Sequence, residues 1–472
     1  MFEPVIAPSG TLLGLLQRGR GDGTLHALTA PRAEALAALD QCVCHDPRAD
    51  WQVENRSLYY ARLYIDLDGG LDRVERHLLG PEDLLDPAET RTGLALSVLG
   101  HLASYGRADA LALLRRYAAQ GANWAWALDE LAVRDEDEAL RALAAPVLAR
   151  FPEDPEGEAE LTAAVRDSYE PRPWRLWAED TASRAGTRVR AAFERGSFDR
   201  WQRQLAPSGP RPGWSVEAVL DWAQQGLERG AALHVPAARC LVAVAGPQDR
   251  AALLAAAADG VDGARCAALR YLVDAHDPLS LDLVEEAALG GSSLVADVAL
   301  DLFERMASVA AVDRARRWAH RPDRLGAAAG RLLACRGGTQ DAPLVLGALR
   351  EAVRGEGTDH TGLGPLLDGA GRLGIVCAAP VLRHVYRETS SSHLRGRAAR
   401  ALAATDASFA AGFAVECLWD CEESTREIAA RHAETADARV VAQLRRLATD
   451  PAEEDEVQTA VRGRIGPDTA AA

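Results

Sequence analysis

From about residue 237 to the C-terminus, apolar residues recur with the spacing of amphipathic helices, and the helices come in pairs. In one pair Leu394, Ala398, Ala401 and Leu402 fall at i, i+4, i+7 and i+8; after a turn at Thr405-Asp406, Phe409, Phe413 and Cys417 form the facing row of a second helix. In the last pair Ile428 belongs to the first helix, and Val440, Leu444 and Leu447 to the second. The turn between paired helices usually carries Asp. Turns recur at Asp249, Asp277, Asp313, Asp341, Cys377, Asp406 and Asp437, at spacings of 28, 36, 28, 36, 29 and 31 residues. Helix pairs with a mean period near 31 residues predict an all-α fold, an α-solenoid in which each pair buries its apolar face against its neighbours. Neither helix of a pair could stand alone in water.

Local punctuation agrees. Asp277-Pro278 places a capping carboxylate before a proline, and Asp86-Pro87-Ala88-Glu89 reads as a capping box. Gly290-Gly291, Gly337-Gly338 and Gly355-Glu356-Gly357 stop helices. The N-terminal half is helical but less regular, with pairs predicted over 31–44 with 51–67, 87–104 with 108–120, and 122–133 with 137–151. Three prolines and two glycines between Leu205 and Trp214 cannot be a helix. The expected organisation is therefore an N-terminal helical region, 1–205; a Pro/Gly linker, 206–214; a repeat array, 215–450; and an acidic, partly disordered tail, 451–472.

The sequences Arg397-Ala-Ala-Arg-Ala-Leu402 before Asp406, and Arg426-Glu-Ile-Ala-Ala430 before Asp437, carry a resemblance. Residues 237–450 resemble HEAT repeats, in the short variety of phycobilisome-lyase HEAT-like modules. The resemblance implies an armadillo-like α-solenoid and a role as a binding scaffold, with no chemistry attached. Bilin lyases and alkylpurine DNA glycosylases use related repeats, and neither contributes a motif that transfers to residues of this chain. One turn has Cys377 instead of Asp, and no Arg recurs at a fixed place in every second helix, so no continuous Asp–Arg ladder is expected.

Composition narrows the function classes. All 53 basic residues are Arg, a substitution that a GC-rich genome explains without a nucleic-acid role. A net charge of −16 repels phosphate backbones and acidic membranes, so a polyanion site would have to be a local patch. The eight Cys are scattered within apolar helical patterns and read as reduced thiols of a cytoplasmic protein. No segment reaches 18 uninterrupted apolar residues and no secretion signal is evident, so neither secretion nor membrane spanning is expected.

Three clusters are candidate partner-binding sites. On a helix, Trp51, Asn55, Tyr59 and Arg62 line one row beside Arg56, offering stacking surface and a bidentate donor. Asn123, Trp124 and Trp126 stand at a helix start, where paired Trp suggests an interaction hot spot. From Arg166 to Arg203, nine Arg against six carboxylates interleave with Trp174, Trp177 and Trp201; Arg188 lies at the centre. Each has a structural alternative: a packing helix for the first, an inward Trp for the second, a solvated face with cation–π contacts for the third. A smaller basic run, Arg383 to Arg400, straddles Ser390-Ser391-Ser392, where Ser392 reads as a helix cap. Cys42-Val-Cys44-His45 and the Cys417/Cys421 pair lack zinc-site spacing and read as core.

No catalytic motif, metal site or cofactor fingerprint stands out. The expected function is a non-catalytic scaffold or adaptor for another protein or peptide. A small-molecule binder or lyase-type enzyme using residues 51–64 is an alternative, as is nucleic-acid binding through 172–203.

Overall fold

The computed structural model describes residues 6–47, 54–204 and 213–465, with backbone alone over 197–204. All regular structure among them is helical. The chain divides into two compact units: Gln204–Leu382, and a discontinuous unit joining Met1–Arg203 to Arg383–Ala472. This differs from the linear division expected at 206–214, most of which lies outside the described residues. The last hairpins belong with the N-terminal helices.

The Gln204–Leu382 unit is a series of helix hairpins: Val216–Glu228 with His234–Val244, Arg250–Asp259 with Asp262–Asp274, Ser280–Gly290 with Ser293–Arg305, Val309–Trp318 with Arg324–Arg336, and Ala342–Glu356 with Leu363–Arg372. The second helices pack successively on one another. Small residues let them approach: Ala267, Ala268, Ala299, Ala328 and Ala329 are buried where they meet. Side-chain caps fix where they begin. Ser292 Oγ accepts the Val295 N–H at 3.3 Å, and Asp323 accepts those of Leu325 and Gly326 at 3.1 and 3.2 Å.

The Asp-bearing turns prove to join one hairpin to the next, while each hairpin bends elsewhere, for example at Gly291-Ser292. Asp313 is not in a turn; it lies within Val309–Trp318. Arginines do recur, on the first helices. Arg250 reaches Asp277 at 2.6 Å, Arg316 reaches Asp341 at 2.8 Å, and at the Cys377 turn Arg350 bonds the carbonyl at 3.3 Å. In the discontinuous unit Arg383 and Asp406 repeat the pair at 2.6 Å. The series is not continuous, as expected: the first helix Ser280–Gly290 carries no Arg, and the Cys377 turn offers only its carbonyl.

In the discontinuous unit, the predicted helix over 137–151 is split into Asp137–Ala142 and Ala144–Leu148. Pro146 has no N–H to bond the Ala142 carbonyl, so the ladder breaks there. Phe409, expected within a helix, is buried in the turn before Phe413–Cys417. The expected tail is ordered as far as residue 465: Asp455–Ile465 is a helix that buries Val457 and Val461 against Glu423–His432 and Ala438–Thr449. Residues 466–472 lie outside the described residues.

Two glycines let the N-terminal helices meet the C-terminal hairpins. Gly19 takes φ +67° and its carbonyl accepts the Cys421 N–H at 2.9 Å, a conformation other residues adopt only with strain. Gly21 opens the helix Gly21–Thr29, which packs on Phe413–Cys417; a Cβ there would run into the Glu416 carbonyl.

Candidate functional site

The structure turns most of the described part of the 51–64 cluster inward, chiefly onto other N-terminal helices, with Glu54 and Arg62 reaching the C-terminal hairpins of the same unit. Trp51 lies outside the described residues. Asn55 is half-buried at the N-cap of Arg56–Asp66. Arg56 is fully buried and pairs with Asp46 and, at 3.3 Å, with Glu54. Tyr59 is buried and donates its hydroxyl to the Arg20 carbonyl at 2.8 Å. Arg62 reaches Asp450 at 2.8 Å and Glu453 at 3.1 Å. In a row that looked like a partner surface, Tyr59 is therefore used up inside the N-terminal helices and Arg62 ties them to residues 450–453 of the same chain.

The tie continues through charges that local sequence does not reveal. Arg395 and Asp420, both fully buried, form two bonds of 2.7 and 2.9 Å. Arg426 holds Glu453 at 2.6 and 2.9 Å and caps the Asp420 and Cys421 carbonyls at 2.8 and 2.7 Å. The Ser392 N–H donates to Glu54 at 2.7 Å, and the Ser392 hydroxyl donates to Glu422 at 2.9 Å. Burial disfavours the charged form of Arg395, but Asp420 outweighs it and keeps the guanidinium protonated. Such pairs are costly to desolvate and costlier still to break, so they specify which surfaces meet.

Beside them lie two carboxylates under strain. Asp22 and Glu416 both face Arg20, at 2.6 and 3.9 Å, and each has one buried oxygen without a hydrogen-bond partner among the described residues. Burial first, and then the Asp22 charge, push the Glu416 carboxyl up to about 7; Arg20 opposes them, the Tyr386 hydroxyl favours the ionised form, and Asp420 adds to the rise. Asp22 is raised too, chiefly by burial. A carboxyl whose folded pKa is raised stabilises the fold below its unfolded pKa and loses that contribution as pH climbs through the folded value. Melting temperature is therefore expected to fall between pH 6 and pH 8.5, and Glu416→Gln to fall less over the same interval. Identical declines would refute the assignment.

The other predicted residues are placed as follows. Asn123 stands at the N-terminus of Trp124–Arg134 and its amide donates across to Thr92 Oγ1 at 2.6 Å and the Ala88 carbonyl at 3.2 Å. Trp124 stands edge-on to Phe151 at 5.7 Å and Trp174 at 6.2 Å, with Arg150 over its ring. Trp126 is half-buried and donates to Ser97 at 3.1 Å. Trp174 and Trp177 are buried against each other at 4.9 Å, and the Trp177 indole N–H donates to the Leu140 carbonyl at 2.8 Å. Arg188 pairs with Glu158 at 2.6 Å and the Phe151 carbonyl at 2.8 Å. The structure thus joins Trp124 to Trp174 and Trp177 in one aromatic cluster, which Arg188 meets only through the Phe151 carbonyl.

Solvent-facing concavities lie elsewhere. A cleft of about 1050 Å³ is lined by Asp40, Cys44, His45, Arg73, His77 and Arg91, among others. His77 Nε2 meets the Arg91 carbonyl at 2.9 Å, so it carries the ring proton, and burial holds the imidazole below its usual pKa. Burial pushes the Cys44 thiol up to about 12, which leaves no reactive thiolate there. No group of three metal-ligating side chains occurs among the described residues. A smaller pocket of about 290 Å³, in the Gln204–Leu382 unit, lies between stacked second helices and is lined by Asp297, Asp301, Glu304, Arg324, Arg331 and His360, among others. No helix among the described residues is long and apolar enough to cross a membrane. Comparison with protein-family models, curated proteins and solved structures finds no match.

Proposed function

We propose that this protein is a non-catalytic interaction scaffold, with a HEAT-like α-solenoid in its Gln204–Leu382 unit whose second helices form the surface for a protein or peptide partner. One observation carries this reading: the second helices Ser293–Arg305, Arg324–Arg336 and Leu363–Arg372 are buried around most of their circumference and turn charged residues to solvent along one side. That side holds Asp297, Asp301 and Glu304 on one helix, Arg324 and Arg331 on the next, and Asp368 and Arg372 on the third. Arg324 pairs with Asp297, and Arg331 with Glu304 at 2.6 Å, so adjacent rows are already in register. Stacked hairpins about 10 Å apart match roughly three residues of an extended chain at ~3.3 Å each, which suits a peptide laid across the rows. A cytoplasmic setting accords with eight Cys that are all free thiols.

Immobilised full-length protein is expected to retain a protein partner that the Asp297→Arg/Asp301→Arg/Asp368→Arg variant does not. All three positions are exposed, so circular dichroism should show both forms equally helical. Retention of the same partner by both forms, or of none by the native chain, would count against the scaffold.

A further inference from the structure

Of the arginines between residues 166 and 203 whose side chains are described, most are neutralised: Arg172 by Asp137, Arg184 by Glu153, Arg188 and Arg195 by Glu158, Arg166 by Asp167. Two are not. Arg175 is exposed and makes no ion pair or side-chain hydrogen bond among the described residues, and Arg190 bonds only neutral groups, the Ala178 carbonyl at 2.8 Å and Thr187 Oγ1 at 3.2 Å among them. Both line one groove of about 730 Å³, together with Arg166, Phe193, Tyr169 and one carboxylate, Glu179, which pairs with Arg141 at 3.1 Å. Tyr169 is 85% exposed, an outlier in a chain whose other large aromatics mostly pack inward. Its ring projects from the loop between the helices Pro155–Asp167 and Arg172–Glu179, and that loop is pinned, because Asp129 accepts the Glu170 N–H at 3.1 Å and Ser168 bonds the Val165 carbonyl at 3.0 Å. An exposed aromatic ring on a pinned loop thus shares a groove with two guanidinium groups that no carboxylate pairs, in a protein whose net charge is −16.

We propose that this groove binds a nucleoside phosphate, the base stacked on Tyr169 and the phosphates held by Arg175 and Arg190. The volume falls within the range of small-ligand sites, about 300–1,000 Å³. Arginine supplies the forked donors that phosphate oxygens accept. Stacking is indifferent to which base is presented, so the site selects the class rather than one nucleotide. A long polynucleotide is disfavoured, because the surrounding field is negative and the positive patch is one groove wide. This inference is independent of the scaffold reading.

The test is titration of the full-length protein with a fluorescent N-methylanthraniloyl-ADP, displaced by unlabelled ADP. Tyr169→Ala is expected to weaken ADP binding about tenfold or more, while Tyr169→Phe keeps it. Arg175→Ala is expected to weaken it by a similar factor. Both residues are exposed, so melting temperatures should stay at the native value. Inorganic pyrophosphate should compete at least tenfold less well than ADP, since it lacks the stacking contact. The proposal is overturned if ADP does not bind at millimolar concentration and low salt, or if the alanine variants bind as the native chain does. It is equally overturned if pyrophosphate competes as well as ADP, or if an oligothymidylate or an acidic peptide binds more tightly than ADP.

Discussion

Asp420→Ala is expected to lower the unfolding free energy by about 3–5 kcal/mol, because it leaves the Arg395 guanidinium charged and fully buried without the carboxylate it bonds. Such a change takes a large part of the roughly 5–15 kcal/mol available to a folded domain, so part of the population is expected to be unfolded already in buffer. Arg395 would keep only its contacts at 3.4 Å to the Gly19 carbonyl and the Cys421 sulfur. Urea unfolding followed by tryptophan fluorescence measures the loss. A companion variant separates charge from packing: Arg395→Met with Asp420→Leu removes both charges, and is expected to regain most of what Asp420→Ala loses. Equal losses in the two would mean that the buried pair is not the source.

Glu453→Ala is the second large effect, again about 3–5 kcal/mol. Glu453 is buried and accepts from Arg426 at 2.6 and 2.9 Å and from Arg62 at 3.1 Å, so one deletion strands the buried Arg426 and leaves Arg62 with Asp450 as its one carboxylate. Burial works against its ionisation, but the attraction of Arg426, then of Arg62, prevails and holds the carboxyl below the ordinary glutamate range. A carboxyl with a depressed folded pKa contributes stability above its unfolded value, about 4.3, and the contribution fades as pH falls through the folded one. Native protein should therefore lose stability in acid below about pH 4.3, and Glu453→Ala should lose less over the same descent. By contrast, Glu351→Ala removes only an exposed partner of Arg354, and such pairs are worth about 0–1 kcal/mol.

The helices themselves were legible because their signal is local. The apolar spacing of Leu394, Ala398, Ala401 and Leu402 depends on residues within two turns, and the helix Ser392–Thr405 follows it. The Asp–Arg bridges were harder to read, since Arg250 meets Asp277 and Arg316 meets Asp341 only after one hairpin has stacked on the next. The joining of the chain ends left no pattern at all. Arg62 and Glu453 are 391 residues apart, and no period or motif relates them. Tyrosine and tryptophan misled for a physical reason: each has an apolar body and a polar tip, so the same residue serves a wet surface or a buried hydrogen bond. Tyr59 and Trp177 took the second course. Tyr169 took the first, and the signal for it was present. It stands in a short Ser-Tyr-Glu-Pro turn, where no helical period calls for an aromatic ring.

The joining of residues 12–66 to residues 383–465 is tested most directly by one distance. Asp66 and Arg446 form an ion pair of 2.8 Å at the surface, so spin labels on Asp66→Cys and Arg446→Cys, with the exposed Cys335 and Cys377 replaced by Ser, report on the closure without disturbing the buried charges. Pulsed electron resonance should give one narrow distance, below about 20 Å, allowing for two labels on helices about 10 Å apart. A broad distribution centred at several tens of Å, as an open row of hairpins spaced about 10 Å apart would produce, would contradict the account.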